Sequence, residues 1–580
     1  MQKEKEIVLL KNENDIIPLV GLDTISYSII TLEDSTDRTF QNRCSKYLSP
    51  STIRIDPTTN ATHDIDFLSS LIKVDDIVIV THATENPGRE MIDFVRSVNQ
   101  SHLTVHINFL SHDYILKNPW IAEGAVLIQA DDSSAVTRDL AAQLVFGGIG
   151  ASGKLKEAIG GLYEMGDGFI TEKIRLKYTV AEEVGINTDT LQKHVTAILE
   201  HGLREKAFPG VQVMAVKGGK IFYHEAFGFH TYDSLRPVRK DDIYDLASVT
   251  KTTAATLALM KLHDQNKFLL DIPASTYWPD FKRKDKKDIT FRQILSHNAR
   301  LKSWIPYWTT TTKKSGKYKR KTLSRTPDEN YTISLGDSLY LHKDYRNKIY
   351  DMIKKAPLNE KEGYVYSGLS FYLYPQIVEN ISGEPFETFL SKHFYQSLGA
   401  ETIGFNAGDK FPVERIVPTE IDTFFRMKKL HGEVHDEGAA MMNGISGNAG
   451  LFGTAEDLAK IWQMLLNEGQ YGGQQYLSAQ TINKFTSCQY CEAGNRRGLG
   501  FDKPLINFDP LKSSVSELAS YRSYGHSGYT GTFVWADPEN DFLFIFLSNR
   551  VYPTRNNRKI YELNIRPDLH DLFSRLLENQ

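Results

Sequence analysis

The first 165 residues alternate short apolar runs with helix-like segments. The runs that predict strands are ISYSIITL, STIRID, DDIVIVTHA, LTVHINFL and AEGAVLIQA. Between them lie the helix-like segments DFLSSLIK, GREMIDFVRSVNQ and SSAVTRDLAAQLVFG. Near-continuous apolar strands separated by helices are typical of a mostly parallel sheet covered on both faces. We therefore expect an N-terminal α/β domain over residues 1–165, followed by a linker over residues 166–185.

The hydrophobic pattern changes from about residue 186. LQKHVTAILEHGLREK predicts an amphipathic helix, and GVQVMAVKGGKIFYHEAFGF predicts two strands joined at Gly218 and Gly219. A helix-rich stretch runs to about residue 470, and GTFVWADPENDFLFIFLSN then predicts a hairpin that turns between Asp537 and Asn540. The economical prediction is an antiparallel sheet built from both ends of the 186–580 region, with helices inserted between them.

Composition and charge exclude several classes of protein. With 580 residues the chain is too long for one core, and 68 Lys plus Arg against 72 Asp plus Glu give a net charge of -4. That balance offers no argument for a nucleic acid or an anionic membrane as partner. No apolar run approaches the roughly 18 residues of a membrane span, and the N-terminus does not resemble a signal peptide.

Two basic runs, KRKDKK at 282–287 and KKSGKYKRK at 313–321, are expected to be solvated loops. Either run could attract phosphate or anionic glycans, but neither contains the ladder of aromatic residues that stacks on nucleic-acid bases. The chain has three cysteines, of which Cys488 and Cys491 form a lone CxxC. A chance pair or a single local disulfide is favoured over zinc, and no metal or cofactor is predicted.

The strongest chemical signal is the SxxK segment that runs from Ser248 to Lys251 and opens an apolar helix. Residues three apart on a helix share a face, so the two side chains are expected to meet. A serine hydroxyl becomes nucleophilic when a neighbouring base takes its proton. By itself SxxK is a weak pattern, because a capping serine beside a solvated lysine has the same spacing.

Two later segments support the chemical interpretation of SxxK. Tyr366 lies in YVYSG at the start of a helix, where a tyrosine can share a proton with Lys251 and act as acid or base. His526 lies in YGHSGYTG just before a strand, where small residues let a substrate backbone approach closely. A packed core tyrosine and a chance HxG are the alternatives for each segment alone.

In this order, SxxK, YxG and HxG resemble the serine hydrolases that include class C β-lactamases, penicillin-binding DD-peptidases and related esterases. FRQILSHNARL and GNAGLFGTAEDLAKIWQMLLNEG match further segments of that superfamily, so the resemblance covers residues 186–580. It implies an antiparallel sheet flanked by helices plus an all-helical part. It also implies that Ser248 is the acyl-forming nucleophile, that neutral Lys251 is its base and that Tyr366 relays the proton.

The same resemblance implies the substrate-binding groups. His526 takes the place that lysine more often holds in a KTG triplet, followed by Ser527 and Gly528. The backbone N–H groups of Ser248 and Tyr529 are expected to form the oxyanion hole, where one donor is typically worth about 3–4 kcal/mol of barrier. Gly368 departs from the asparagine of true β-lactamases, which puts efficient penicillin hydrolysis in doubt.

The N-terminal region carries a second resemblance. EIVLLKNENDIIPL and LVFGGIGASGKLKEAIGG are similar to the opening and closing segments of the C-terminal α/β sandwich of family-three glycoside hydrolases. This resemblance implies that residues 1–165 are such a sandwich and that a catalytic glycosidase barrel precedes it in a longer protein. A fusion of the β-N-acetylglucosaminidase type implies work on the cell wall and a periplasmic or cell-envelope location.

Three functional hypotheses remain from the sequence. The first is a serine hydrolase that forms an acyl-enzyme with small molecules or muropeptides: peptidoglycan D-amino-acid peptides, small esters or, weakly, β-lactams. The second is a non-catalytic cell-wall recognition module that serves a glycosidase, which the glycine at position 368 motivates. The third is glycoside hydrolysis itself, which needs barrel carboxylates that this chain does not contain.

Overall fold

The structure is a computed structural model that describes residues 2–33, 36–55, 65–282 and 284–578. It divides the chain into two compact units. The first unit comprises Met1–Tyr178 together with Gln396–Gly399 and Tyr471–Gln474, and the second comprises Thr179–Tyr395, Ala400–Gln470 and Gln475–Gln580. The assignment of residues 1–165 to a glycosidase-type sandwich, with a linker over 166–185, stays a prediction.

The first unit contains a mostly parallel sheet with helices between its strands. The sheet strands are β1 (Val8–Asn12), β2 (Ser26–Leu32), β3 (Thr52–Ile55), β4 (Asp76–His82), β5 (Thr104–Asn108) and β6 (Val126–Gln129), and the short strand β7 (Lys177–Tyr178) lies outside this sheet. Its helices are α1 (Thr39–Tyr47), α2 (Ile65–Ser70), α3 (Arg89–Ser101), α4 (His112–Lys117) and α5 (Ala135–Val145). The sheet order is β1-β6-β5-β4-β2-β3.

The pairing of these strands confirms the predicted parallel sheet. β3, β2, β4, β5 and β6 pair in parallel, and β1 joins the edge antiparallel to β6. Every residue of β5 is buried, as expected for a strand covered on both faces. Helix α3 buries Phe94, Val95 and Val98 on one side, and separate apolar clusters occupy the two faces of the sheet. β1, α1 and α4 were not predicted, because these segments are short and partly polar.

The strands of the remaining chain are β8 (Gly210–Lys217), β9 (Lys220–Gly228), β10 (Tyr244–Asp245), β11 (Leu323–Ser324), β12 (Ile333–Gly336), β13 (Leu339–Leu341), β14 (Gly404–Phe405), β15 (Glu420–Asp422), β16 (Lys428–Leu430), β17 (Leu451–Gly453), β18 (Gln470–Tyr471), β19 (Gln474–Gln475), β20 (Tyr524–Ser527), β21 (Phe533–Asp537) and β22 (Phe542–Ser548). Its α-helices are α6 (Thr188–Arg204), α7 (Leu257–Asp264), α8 (Phe291–Leu295), α9 (Tyr345–Lys355), α10 (Tyr374–Ser382), α11 (Phe386–Leu390), α12 (Glu437–Met441), α13 (Ala455–Leu466), α14 (Ala479–Thr486), α15 (Lys559–Glu562) and α16 (Ile565–Glu578).

The main sheet of the second unit joins both ends of its chain, as predicted. Antiparallel strands follow the order β20-β21-β22-β8-β9, and β22 of the C-terminal hairpin pairs directly with β8 of the first hairpin. Gly218 and Gly219 form the predicted turn with φ angles of 59° and 66°, which favour glycine. The helix-rich stretch also contains short strands that the sequence pattern did not predict.

Helices cover this sheet and hold its central strands in place. α6 packs against α16, and their buried side chains join those of β8, β21 and β22 in one apolar cluster. α13 contacts β22, β8 and β21. Strand β20 at the edge carries His526 and contacts the 3-10 turn Ala247–Val249. The edge of the sheet therefore brings the HxG segment to the SxxK segment.

The basic side chains of the two runs differ in their exposure to solvent. Lys286 of the first run is buried, and its Nζ donates to the carbonyl of Ala356 at 2.6 Å. Arg283 of that run lies outside the described residues. The lysines and arginine of the run at 313–321 are exposed, as expected for a solvated loop.

We expect the centre of β22 to be the most sensitive part of the second core. Phe544 is fully buried and lies 6.1 Å, centroid to centroid, from Phe533 and 5.8 Å from Phe573. Phe544→Ala should lower the free energy of unfolding by about 3–5 kcal/mol, because it leaves a cavity. Chemical denaturation followed by tryptophan fluorescence measures this change. Phe508→Ala, at an exposed position, is the matched control and should stay within about 0.5 kcal/mol of the parent; an equal loss in both would contradict the assignment.

Candidate active site

The predicted nucleophile lies in a turn that its neighbours hold rigidly. Ser248 belongs to the 3-10 turn Ala247–Val249, which continues into a π-helix over Lys251–Thr256 and then α7. Ala247 has a φ of 46°, a conformation that needs support. The carboxylate of Asp245 provides it: Oδ1 accepts the N–H of Ala247 at 2.8 Å and Oδ2 accepts the N–H of His435 at 2.6 Å.

The structure brings Ser248 and Lys251 together, as the SxxK spacing predicts. Lys251 Nζ donates to Ser248 Oγ at 2.8 Å and to the backbone carbonyl of Asn448 at 2.8 Å. Lys251 is buried, and its Nζ also lies 5.4 Å from the ring centroid of Phe371. This contact places an amine where, in its neutral form, it can take the proton of Ser248.

Tyr366 lies beside the Ser–Lys pair. Its ring centroid is 5.9 Å from Lys251 Nζ and 4.5 Å from the ring centroid of His297. His297 fixes both sides of the tyrosine: its Nδ1 accepts the N–H of Ser367 at 3.2 Å, and its carbonyl accepts the N–H of Val365 at 2.9 Å. Burial holds the pKa of His297 well below the usual range. His297 is therefore a neutral positioning residue.

His526 is buried on β20, and its ring centroid lies 6.5 Å from that of Tyr366. Its Nδ1 lies 2.8 Å from the carbonyl of Ser527, and a carbonyl only accepts, so Nδ1 carries the proton. Burial, together with the nearby charge of Arg497, lowers the pKa of His526 to about 3. The histidine is therefore uncharged near neutrality, whereas a lysine at this position would carry a positive charge.

The segment after His526 lies against the nucleophile turn. Thr530 Oγ1 donates to the carbonyl of Asp245 at 2.8 Å, and Thr532 Oγ1 donates to the carbonyl of Leu246 at 2.9 Å. A side chain at Gly528 would meet that same carbonyl of Leu246 at 2.7 Å, so glycine permits the close approach. The predicted oxyanion residue Tyr529 follows directly, between these contacts.

Three further predicted site positions have distinct surroundings. The Tyr529 ring is 48% exposed and stacks on the ring of His435 at 5.7 Å. Ser527 is exposed. Gly368 has open space around it: the nearest atom to an added Cβ is the carbonyl oxygen of Ser303 at 4.0 Å. The lack of a side chain at Gly368 therefore leaves room at this position, two residues from Tyr366. The roles of all these residues remain predictions.

Arg497 is a neighbour of the site that the sequence analysis missed. Its guanidinium carbon lies 5.4 Å from the ring centroid of Tyr366 and 5.7 Å from that of Tyr364, and Nη2 donates to the Tyr364 hydroxyl at 3.2 Å. Burial opposes its charge, but Asp502 raises the pKa of Arg497 and keeps the guanidinium cationic. No sequence motif marks it, because it reaches the site only through the tertiary fold.

Cys488 and Cys491 form a disulfide in the loop that precedes Arg497, so the local-disulfide alternative holds over a chance pair. The N–H of Gln489, between the two cysteines, donates to the carbonyl of Arg497 at 3.0 Å. A cavity of about 560 Å³ lies beside this disulfide and includes none of the predicted catalytic residues in its lining.

Among the described residues, no cluster of three His, Cys, Asp or Glu is arranged to hold a metal, and no helix is long and apolar enough to cross a membrane.

Comparison with known proteins places this site in a family. The Beta-lactamase family model matches residues 195–565. Curated relatives described as "Putative D-alanyl-D-alanine carboxypeptidase" include one from Escherichia coli O157:H7, which is 29% identical over 399 residues, or 64% of this chain and 85% of that protein. One from Salmonella enteritidis is 28% identical over 384 residues, or 61% of this chain and 82% of that protein.

Two solved structures also align with the chain. "EstCE1, a hydrolase with promiscuous acyltransferase activity" is 20% identical with a TM-score of 0.47, covering 66% of this chain and 99% of its own. A penicillin-binding protein homolog from Caulobacter crescentus is 18% identical with a TM-score of 0.46, covering 67% of this chain and 99% of its own. These comparisons do not extend to the glycosidase resemblance of the N-terminal region, which stays a prediction.

Alanine substitutions at two glycines test how tightly strand β20 packs beside the site. A Cβ at Gly525 would lie 2.2 Å from Trp535 Cε3 and 2.3 Å from the Val534 carbonyl, whereas one at Gly368 meets open space. Gly525→Ala should therefore displace β20 with His526 and lower the melting temperature. Gly368→Ala is the matched control and should melt like the parent. Equal melting temperatures for the two variants would contradict the described packing of β20.

Acidification should destabilise the fold through His526. Its pKa is about 3 in the fold against 6.5 ordinarily, so between these values the unfolded chain binds the extra proton. The stability it provides is present above pH 6.5 and is lost as the pH falls toward 3. Between pH 7 and 5 this amounts to about 2 kcal/mol. Denaturation at both pH values should show a smaller loss in His526→Gln than in the parent, whereas exposed His194→Gln should match the parent; a parent-like loss in His526→Gln would refute the assignment.

Proposed function

Because this chain belongs to the beta-lactamase family of serine hydrolases, we propose that it hydrolyses D-amino-acid peptides through an acyl-enzyme on Ser248. The observation that carries the proposal is the 2.8 Å hydrogen bond between Lys251 Nζ and Ser248 Oγ, with the lysine buried. A buried lysine whose amine contacts a serine hydroxyl is an arrangement suited to nucleophilic catalysis. A pure recognition module would have no use for this contact.

In the acylation step, neutral Lys251 takes the proton of Ser248 while Oγ attacks the substrate carbonyl carbon. The negative charge that develops on the carbonyl oxygen is stabilised by the backbone N–H groups of Ser248 and Tyr529. The bond to the leaving amine then breaks, and Tyr366 delivers the proton held on Lys251 to that amine. The result is an ester between the acyl group and Ser248, with the amine released.

Deacylation reverses these roles with water as the nucleophile. Tyr366 and Lys251 together accept a proton from the water that attacks the acyl carbon, and the proton returns to Ser248 Oγ as the ester bond breaks. His526 is uncharged and buried beside Tyr366, so it is placed to orient polar groups rather than to supply a positive charge. The protein ends this cycle in its starting state.

Two observations support the proposed substrate class: the description of the relatives and the open space near Gly368. The relatives' description names D-alanyl-D-alanine, a peptide of two D-amino acids. The room around Gly368 suits a substrate side chain or peptide backbone that an asparagine would otherwise contact. Small esters are the second substrate class, because an ester needs the same attack by Ser248. Peptidoglycan fragments in the cell envelope are the natural source of D-amino-acid peptides. The glycosidase-like N-terminal region would belong to an enzyme that acts on the same peptidoglycan.

A fluorophosphonate probe followed by peptide mass spectrometry tests the nucleophile. The parent should be labelled at Ser248, and Ser248→Ala should lose at least about a thousandfold in labelling rate, because the attacking oxygen is gone. Lys251→Met should show a loss of similar order, since the base is removed. The exposed Ser315→Ala, outside the site segments, is the matched control and should keep its Ser248 adduct. Labelling that persists in Ser248→Ala at the parental rate would exclude the proposal.

A further inference from the structure

The cavity of about 560 Å³ beside the Cys488–Cys491 disulfide lies apart from the residues proposed for acyl transfer, none of which lines it. Its volume is within the usual range for sites that bind small molecules. Polar and charged side chains line part of the cavity, and apolar side chains line the rest. The apolar part of the lining consists of Leu465, Leu466, Ile482 and Pro538. A cavity with both kinds of wall suits an organic ligand with polar ends.

Lys503 is a buried cation in the lining of this cavity. The residue is 4% exposed, and its Nζ donates to the carbonyls of Ser523 at 3.0 Å and Arg522 at 3.3 Å. An ammonium group has three N–H bonds, so one remains after these two contacts. Burial lowers the pKa of Lys503 to about 8, so the amine is still mostly protonated at pH 7. No carboxylate of the described residues forms an ion pair with it, and a buried charge is costly until an anion compensates it.

Tyr524 adds an unused hydrogen-bonding group to the same lining. The residue is 2% exposed, and its ring centroid lies 5.3 Å from that of Phe501 and 6.0 Å from that of Trp462. Within the described part of the chain, its Oη has no hydrogen-bond partner. A buried hydroxyl without a partner is unfavourable, and a ligand oxygen would remove that cost. The amine of Lys503 and the hydroxyl of Tyr524 together suit a carboxylate.

The lining also carries negative charge. Glu468 lies two residues after the end of α13, and Asp541 directly precedes β22. Helix α13 ends at Leu466 and α14 ends at Thr486, and both of these residues line the cavity. The C-terminal end of a helix favours a positive charge. A simple anion would therefore meet repulsion here, whereas a molecule with both an ammonium and a carboxylate group meets complementary charges.

We propose that this cavity binds a free amino acid or dipeptide as a zwitterion, with its carboxylate at Lys503 and Tyr524 and its ammonium at Glu468. The apolar walls take an apolar side chain of the ligand. The amino acid that the proposed reaction releases belongs to this chemical class, but binding in the cavity does not depend on that reaction. The cavity is then a second site, with recognition groups of its own.

The proposed anchors are tied to the edge strand β20. The N–H of Asp502 donates to the carbonyl of Gly525 at 2.8 Å, and the N–H of Gly525 donates to the carbonyl of Asp502 at 3.1 Å. Lys503 directly follows one member of this pair, and Tyr524 directly precedes the other. A ligand held by both side chains should stabilise this pairing, next to His526. Occupancy of the cavity is therefore expected to slow amide hydrogen exchange in β20.

Three forms of one dipeptide measure the recognition in Ser248→Ala, which cannot form the proposed acyl-enzyme. Alanyl-leucine carries both charges, N-acetyl-alanyl-leucine lacks the ammonium, and alanyl-leucinamide lacks the carboxylate. Each form is titrated as the L,L and the D,D isomer by calorimetry. The isomer of alanyl-leucine that binds more tightly should bind at least about tenfold more tightly than either blocked form.

Variants of the two charged anchors should each affect one end of the dipeptide. Lys503→Met should lower the affinity for alanyl-leucine at least about tenfold and leave alanyl-leucinamide within about twofold, because the amide has no carboxylate. Glu468→Gln should likewise weaken alanyl-leucine and spare N-acetyl-alanyl-leucine. Lys512→Met, at an exposed position outside the cavity, is the matched control and should leave all three affinities unchanged. Equal losses for all three forms in Lys503→Met, or no loss, would overturn the proposal.

Tyr524→Phe keeps the proposal testable if Lys503→Met fails to fold. It removes a hydroxyl without a partner, so it should melt no lower than the parent and yet bind alanyl-leucine about threefold or more weakly. Parental affinity in this variant would contradict the assigned carboxylate position.

Hydrogen exchange read by mass spectrometry locates the site. Alanyl-leucine should protect the segments around position 503 and over 521–526. No binding at millimolar dipeptide, or protection confined to the segment around position 248, would overturn the proposal. If this protection is seen but the parent forms no Ser248 adduct, the reaction is wrong and the cavity site stands. A Ser248 adduct without dipeptide binding gives the reverse result.

Discussion

The chemistry that we propose for this protein depends on one buried contact, the hydrogen bond from Lys251 Nζ to Ser248 Oγ. A lysine amine and a serine hydroxyl meet in this way only if the backbone holds both, and long-range contacts hold them here. The carbonyl of Asn448 fixes the amine, and the carboxylate of Asp245 braces the turn that presents Ser248. The threonines that follow His526 close the same turn from the other side. The main sheet and the helices around it bring these segments together.

The electrostatics of the site follow from burial. His526 and His297 are both buried and neutral, so neither provides the charge that a lysine in the HxG position would provide. Lys251 Nζ lies 5.9 Å from the centroid of the Tyr366 ring, and the guanidinium carbon of Arg497 lies 5.4 Å from the same centroid. Tyr366 thus lies near two basic side chains, which suits the proton-transfer role that we propose for it.

Local patterns in the sequence predicted the hairpin at Gly218 and Gly219, the parallel sheet of the first unit and the meeting of Ser248 with Lys251. These features depend on turn chemistry, hydrophobic alternation and short spacing, which a sequence displays directly. Arg497 and the backbone carbonyl of Asn448 were not predicted, because they reach the site through contacts between distant segments, and a carbonyl has no residue signature. The neutral state of His526 was missed for a related reason: burial is a property of the fold.

The central claim is that Lys251 activates Ser248 to form a covalent acyl-enzyme. Intact-mass and peptide mass spectrometry of protein quenched during turnover of an activated ester test it most directly. The account predicts an acyl group on the peptide that contains Ser248 in the parent, and its absence when Lys251 is replaced by methionine. Turnover without any adduct, or an adduct on a different residue, would contradict the account.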